Sequence, residues 1–463
     1  MKTTLVANQI KQSDPKMKLA EYPTVKHFYE RVVSDAVSSA PLKLDVDWLR
    51  QLCLEAGADD IGFVEIDRAE LDDQRAEILE FFPATKTLIS FVCRMNREAI
   101  RSPARSVANL EFHHAGDKVN EVARRIVARL HEHGVRGVNP SMGFPMEVDR
   151  FPDRKIWMVS HKPVAVAAGL GRMGIHRNVI HPRFGNFILL GTVLIDAEVS
   201  AYDHPIDYNP CLECMLCVAA CPVGAISSDN HFNFSACYTH NYREFLGGFT
   251  EWVERVADSK DAKDYRRKVS DAESSSMWQS LSFGANYKAA YCMAVCPAGE
   301  DVIGPFLSDR PGYLQDTVRP LQGKEETVYV LTGSDAASHV AQRFPHKRAK
   351  HVRNSLRPSS IRGFLNGLPL LFQRGQAAGL NAIYHFTFTG KEAHKATVVI
   401  RNKTLQVNDG HRGQPDLQIT ADSETWLGFL KQERSLLGSL VRRKLRIRGS
   451  PRLLIAFGKC FPS

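Results

Sequence analysis

The sequence has no long apolar run. Its longest, near Phe187–Ile195 ("FILLGTVLI"), is far too short for a membrane-spanning helix, which takes about 20 consecutive apolar residues, and it is expected to be a buried strand. The opening "MKTTLVANQIKQSDPK" lacks the apolar stretch of a secretory signal and has no twin-arginine pair. A cytoplasmic location is therefore expected, with the ten cysteines kept as reduced thiols. The basic run Arg442, Arg443, Lys444, Arg446, Arg448 has no aromatic residues interleaved. Stacking of unpaired bases would call for them, so this run favours lipid or an anionic membrane surface over RNA.

What is present is a chain of 463 residues with 44% hydrophobic and 24% charged side chains, an ordinary globular composition long enough for two to four domains. The net charge of +9 is uneven: Glu325 to the end carries 22 Lys/Arg against 9 Asp/Glu, while the preceding part is mildly acidic. A basic final third on an acidic front points to two units with different partners.

The densest chemistry is "CLECMLCVAACPVGAI", with Cys211, Cys214, Cys217 and Cys221. C-x2-C-x2-C-x3-C-P is the bacterial ferredoxin spacing. Three closely stepped thiolates wrap three corners of one [4Fe–4S] cube, and the fourth, before the proline, ligates a second cube. Structural zinc prefers two separated C-x2-C pairs. The counterpart is "YCMAVCPAGED", where Cys296 closes the first cluster and Cys292 joins Cys221 on the second. Three residues before Cys292, where a further thiol would stand, is Ala289. The nearest other cysteine, Cys237 in "FSACYTHNY", is taken as the third ligand of the second cluster. Seven thiols thus face eight iron corners. The eighth is filled by another side chain (His240, His231 or Asn286) or by none, which would give a three-iron cluster. Cys53, Cys93 and Cys460, in apolar contexts, are expected as small buried hydrophobes.

Upstream, Leu44–Asp67 reads as a helix capped by Asp45 or Asp47 and ended by Gly57, followed by a strand over Ile61–Ile66. A charged helix near Arg68–Phe81 and a second strand over Lys86–Met95 follow. Val119, Val122, Ala123, Ile126, Val127 and Leu130 give an amphipathic helix over Lys118–Gly134. Alternating helices and strands imply an α/β layer structure. Gly169, Gly171 and Gly174 form G-x-G-x-x-G, but "PVAVAAG" before them reads as a helix end where a dinucleotide site needs a strand. These glycines are expected to shape a loop approaching a flat ligand closely.

"AGLGRMG…FGNFILLGTVLID" ahead of the ferredoxin motif, then "CYTHN" and "CMAVCPAGED", resembles the epoxyqueuosine reductase and reductive dehalogenase superfamily over Leu44–Ile303. The resemblance implies a cobalamin-dependent reductase. Its corrinoid would lie over the α/β core near Gly169, Gly171 and Gly174 without a protein histidine below the cobalt, two clusters would relay electrons to it, and an external donor such as ferredoxin or flavodoxin would feed them. D-x-H-x-x-G, the mark of histidine-on corrinoid proteins, is absent. Where epoxyqueuosine reductases carry an acidic proton donor, this chain has "SHKP" with Ser160 at the acid's place, which leaves His161 or Lys162 as donor. For His161 a buried ring satisfying a backbone carbonyl is the competing reading. The helical-repeat tail that those enzymes use for tRNA is not visible.

From Glu325 the pattern changes. Residues 339–358 are basic and helix-like, interrupted by Pro345. "AIYHFTFTG", "ATVVIRNKTLQVNDG" and "DLQITAD" read as strands, with a hairpin-type turn at Asp409-Gly410. A helix from Ser423, with an apolar face through Trp426, Leu427, Phe429, Leu430, Leu436, Leu437 and Leu440, and a last strand and helix complete the chain. This order resembles a sterol-carrier-protein-type lipid-binding domain.

The expected architecture is an α/β core with an inserted two-cluster ferredoxin-like domain, followed by an α+β sterol-carrier-type domain. The boundaries are 1–43 extension, 44–200 core, 201–310 iron–sulfur domain, 311–324 linker and 325–463 lipid-binding domain. Three functions fit: reduction of a hydrophobic, lipid-like substrate, with dehalogenation, epoxide reduction and double-bond reduction as candidate reactions; tRNA modification of the epoxyqueuosine type, less favoured; and a non-enzymatic electron-transfer and lipid-binding module.

Overall fold

A computed structural model describes residues 19–32, 43–147, 157–431, 433 and 444–462. Residues 1–43 make one unit, whose described part is a 3₁₀ turn over Leu19–Glu21 and a helix over Pro23–Val32. Everything from Leu44 onward is a second unit. No helix among the described residues is long and apolar enough to cross a membrane.

The second unit begins with helix α1 (Val46–Glu55), where Asp45 Oδ1 accepts from the Asp47 and Trp48 backbone N–H groups. Gly57, at φ +111°, lets the chain leave that helix. Strand β1 (Asp60–Glu65), helix α2 (Asp72–Phe81), strand β2 (Thr87–Arg94) and the long helix α3 (Arg105–Glu132) follow. The α3 helix starts thirteen residues before the amphipathic pattern makes it visible. Strand β3 (Gly137–Val138) and strand β4 (Ile188–Ile195) complete a four-stranded sheet of order β1-β2-β4-β3, antiparallel throughout. The layers of helix and sheet are as expected. The β2 strand is buried at seven successive positions, because α1 and α3 supply one face and helix α4 (His161–Ala167) the other.

The thiol-bearing segment inserts short helices, α5 (Leu216–Ala220), α6 (Phe234–Asn241) and α7 (Tyr291–Ala294). It is followed by a parallel pair, β5 (Thr327–Leu331) and β6 (Arg348–Val352), joined by α8 (Asp335–Arg343). Here the structure corrects the helix-like reading of residues 339–358: the helix stops at Arg343, and beyond Pro345 the chain is a strand. That strand is exposed at three of its five positions, so its sequence carries no alternation, and its pairing with β5 is non-local. The unit is also not detached from what precedes it. Ala336 and Val340 of α8 and Val328 and Val330 of β5 pack with Cys221, Val223 and Ala225.

The C-terminal part has helix α9 (Ile361–Leu371) and strands β7 (Ala382–Thr389), β8 (His394–Arg401), β9 (Thr404–Asp409), β10 (Leu417–Asp422) and β11 (Leu445–Gly449). Helices α10 (Ser423–Leu430) and α11 (Pro451–Cys460) lie between and after the last strands. The sheet order is β9-β8-β7-β10-β11, with β7 and β10 parallel and the other pairs antiparallel. The tight hairpin turn is Asn402-Lys403, both at positive φ (51° and 59°), and not Asp409-Gly410, which marks the exit from β9. Phe364, Phe386, Phe388, Trp426 and Phe457 fill the core between sheet and helices. Leu436, Leu437, Leu440, Arg442 and Arg443 lie outside the described residues.

Candidate iron–sulfur site

Cys211, Cys214, Cys217 and Cys296 line one pocket, together with Ile175, His176, Leu212, Met215, Pro297 and Ala298. Residues 79 positions apart in the chain thus converge, Cys217 with Cys296, as cross-ligation of a first cluster demands. The loop can wrap because Glu213 and Met215 take left-handed φ values of 49° and 60°. Cys211 N–H is held by Asn209 Oδ1 at 3.0 Å. Burial pushes the Cys217 thiol well up, and Cys292, Cys296, Cys214 and Cys211 push it further. Without iron these thiols stay protonated; a cluster that binds them as thiolates would release their protons. Among the described residues no three His, Cys, Asp or Glu side chains close on one point as a single metal ion would require. Four thiols on one pocket, three of them stepped at two-residue intervals, are the donor set of a four-iron cube.

The other three predicted thiols lie in one neighbourhood, Cys237 packed against the apolar cluster that holds Cys221. Burial raises Cys237, and the thiols of Cys221 and Cys292 add to it; Cys292 is pushed up to about 12 by burial and by Cys221. Burial raises the Cys221 thiol, opposed by backbone N–H groups at Ala225, Val223, Ile226 and Gly224, of which Ala225 N–H donates to its Sγ at 3.3 Å. Such N–H···S bonds are one of the means by which a protein sets a cluster's potential. Cys237 is carried by α6, whose start is capped by Asn233 Oδ1 accepting from Ala236 N–H. Cys53, Cys93 and Cys460 are fully buried; burial raises the first two to about 12 and the third to about 11, as inert core residues.

Lys162 stands beside the second trio. Its Nζ donates to the Arg177 carbonyl (2.7 Å) and to Asn178 Oδ1 (3.0 Å). The Asn178 amide in turn points at Cys292 Sγ, at 4.0 Å. Burial lowers the Lys162 pKa and the Cys292 and Cys237 thiolates partly restore it, yet the residue keeps solvent-exposed surface. The side chain thus reaches solvent while its Nζ is tied to Arg177 and Asn178. Tyr242 faces the same two thiols; its hydroxyl is raised by burial first, then by Tyr287, Cys237 and Cys292. With Tyr238, Phe245 and Tyr287 it forms an aromatic wall with ring centroids 5.0–5.7 Å apart. Neither Asn178 nor this wall was legible in the sequence, since nothing local ties them to the cysteines.

His161 is buried, with Nδ1 2.8 Å from Thr192 Oγ1 and Nε2 3.0 Å from the Ser141 carbonyl. The carbonyl accepts, so Nε2 carries the hydrogen and the Thr192 hydroxyl donates to Nδ1. Both ring nitrogens are occupied, which is the competing reading named above. Ser160 is tied by its backbone to Gln74.

The glycine loop follows helix α4 and runs into two-residue strands, Arg172–Met173 and Val179–Ile180, so the strand–turn–helix of a dinucleotide site is not formed. A Cβ at Gly169 would lie 2.6 Å from the His204 carbonyl oxygen, and one at Gly171 2.3 Å from that of Ile180. At Gly174 it would meet Ile180 Cδ1 at 2.7 Å. The chain's own atoms occupy the space these glycines leave, so the glycines by themselves are no evidence of a corrinoid cradle.

Residues 204–227, which include Cys211, Cys214, Cys217 and Cys221, match the 4Fe-4S binding domain, and residues 370–462 match the SCP-2 sterol transfer family. Over 248 residues the chain is 25% identical to the epoxyqueuosine reductase of Salmonella typhimurium, covering 47% of this chain and 61% of that one. The chain is similar to epoxyqueuosine reductases over its thiol-bearing part and to the SCP-2 sterol transfer family over its last part. It spans about six tenths of the length of that curated relative. Among solved structures, epoxyqueuosine reductase from Streptococcus thermophilus is 17% identical with a TM-score of 0.34, covering 59% of this chain and 74% of that one. A catabolic reductive dehalogenase is 16% identical with a TM-score of 0.37, covering 65% and 37%.

Proposed function

We propose that this chain is an iron–sulfur oxidoreductase in which two clusters pass electrons toward a hydrophobic substrate bound beside Lys162 and Tyr242. The observation that carries this reading is the single pocket ringed by Cys211, Cys214, Cys217 and Cys296. The first cluster would sit with its Cys211–Cys214 edge half-exposed and Leu212 open to solvent, suited to an outside donor such as ferredoxin or flavodoxin. The second would be held by Cys221, Cys237 and Cys292. The motif resemblance to the epoxyqueuosine reductase and reductive dehalogenase superfamily extends the reading to cobalamin, which would supply a strongly reducing cobalt centre when bound. Electrons can be followed on the chain's own residues only as far as the second cluster. There Lys162 holds protons at Nζ beside the Cys237–Cys292 edge, and the aromatic wall excludes water and favours an apolar substrate. His161, with both nitrogens engaged, is left as a positioning group. The SCP-2 part would hold or present the substrate, and its basic strand Arg446–Arg448 suits an anionic surface.

Anaerobic purification with iron, sulfide and cobalt analysis tests this. About seven or eight iron atoms per chain are expected, with cobalt retained once cobalamin is supplied. Iron without cobalt would leave the electron-transfer reading and remove cobalamin; no iron would remove both. The tRNA-modifying alternative is favoured by the names of the relatives. It requires tRNA retention that falls steeply with salt, which a lipid substrate would not produce.

A further inference from the structure

The two C-x3-C-P segments share a turn, and the likeness breaks where the first carries Cys211 and Cys214. In the first, Met215 takes a left-handed φ of 60° two residues before Cys217, and α5 starts there. In the second, Ala290 takes 58° two residues before Cys292, and α7 starts there. Superposing the two by number puts Cys214 on Ala289 and Cys211 on Asn286. The backbone of a ligand turn is therefore kept where the thiol is missing.

The side chains that could substitute are held elsewhere. Ala289 is 6% exposed, and its N–H is bound by Asn241 Oδ1 at 3.0 Å. The stretch carrying Asn286 is drawn to α3: Tyr287 N–H donates to Asn109 Oδ1 (2.9 Å), and the Ala285 carbonyl lies 2.9 Å from His113 Nε2. Cys237 comes in from α6 instead. His231 has its backbone on Asp229 Oδ1, and the charges around its ring are those of Arg374, Asp229, Asp335 and Arg177. His240 is 1% exposed with an Nε2 that has no partner, but its Nδ1 accepts from the Tyr329 backbone N–H. A neutral imidazole that accepts at Nδ1 carries its proton on Nε2, and that nitrogen cannot then ligate.

We propose that the second cluster is held by only three thiolates of this chain, Cys221, Cys237 and Cys292, and that its fourth iron, on the Ala289 side, takes its ligand from outside the polypeptide. This rests on the two-cluster reading above. The Ala289 side borders Tyr242: Ala289 N–H is held by Oδ1 of Asn241, the residue before Tyr242, and the Tyr287 and Tyr242 rings lie 5.7 Å apart. A hydroxide or an oxygen-bearing small molecule would occupy the fourth iron. An iron without a protein thiolate is also the one lost on oxidation. Ferricyanide takes one electron from the [4Fe–4S]²⁺ form and becomes ferrocyanide, while Fe²⁺ leaves and [3Fe–4S]⁺ remains.

The test uses the full chain purified anaerobically, with iron counting and EPR before and after one equivalent of ferricyanide. About one iron in eight is expected to be released, with one three-iron signal per chain. In Ala289→Cys the iron should stay and the signal vanish. If that variant fails to fold, pulsed EPR on the native protein decides, and no histidine nitrogen coupling is expected on either cluster. Retention of all iron in the native chain under oxidation, or a histidine nitrogen coupled to a cluster, would overturn the proposal while leaving the two clusters standing. A chain without iron would overturn the two-cluster reading and this inference together.

Discussion

Two regions of this chain reach their folds by opposite means. The segment bearing the seven thiols has helices of four, five and eight residues at its ligands, left-handed turns at Glu213, Met215 and Ala290, and buried sulfurs that raise one another's pKa. Little of that is self-sufficient. The C-terminal sheet is closed by its own aromatic rings: Phe386 is fully buried and lies 5.5–6.0 Å from Phe364, Trp426, Phe457 and Phe388. The first region is expected to draw part of its stability from the clusters it would bind, as small metal domains do; the second needs only to exclude water.

The sharpest way to break this contrast is to remove one ligand of the first pocket. Cys217→Ala is expected to halve the iron content and leave residues 201–324 open to protease while the C-terminal sheet resists. Limited proteolysis with mass mapping reads both. The converse is Phe386→Ala, expected to cost about 3–5 kcal/mol in denaturant unfolding of the C-terminal part with iron content unchanged. Iron loss in that variant would mean the two regions fold as one.

Their coupling has an identifiable hinge. Gln373 is fully buried; its Nε2 donates to Ser235 Oγ (2.9 Å) and its Oε1 accepts from Asp335 N–H (3.0 Å), joining the C-terminal part to α6 and α8. Gln373→Ala leaves the Asp335 N–H without this acceptor, at a cost of about 1–3 kcal/mol, and calorimetry should then resolve two transitions where the native chain shows overlap. The smallest effect is expected from pH. Burial lowers the His161 pKa, opposed by its bond to the Ser141 carbonyl. The unfolded chain therefore takes up this proton first as pH falls. The stabilisation is complete above the ordinary histidine value of about 6.5 and is lost below it, toward the lowered folded value. Melting temperatures between about pH 7 and 5 should fall less steeply in His161→Gln than in the native chain.

What the sequence made legible follows the same division. Thiol spacing is dictated by the geometry of an iron–sulfur cube, so Cys211, Cys214, Cys217 and Cys296 could be grouped before any fold was seen. Burial periodicity exposed the β2 and β4 strands, whose apolar runs are continuous. It failed at β6, an exposed strand defined only by its partner, and at the Asn402-Lys403 turn, where Asp409-Gly410 offered a stronger local signal. It also could not show that Gly169 and Gly171 yield to the carbonyls of His204 and Ile180, or that Asn178 links Lys162 to Cys292, because those partners meet only in the folded chain.

The most direct test is a crystal structure of anaerobically prepared protein with anomalous data at the iron edge. The two-cluster reading requires two iron centres, one within bonding distance of Cys211, Cys214, Cys217 and Cys296 and the other of Cys221, Cys237 and Cys292. A single tetrahedral zinc among these thiols, or Cys296 bonded apart from the Cys211–Cys217 loop, would contradict it.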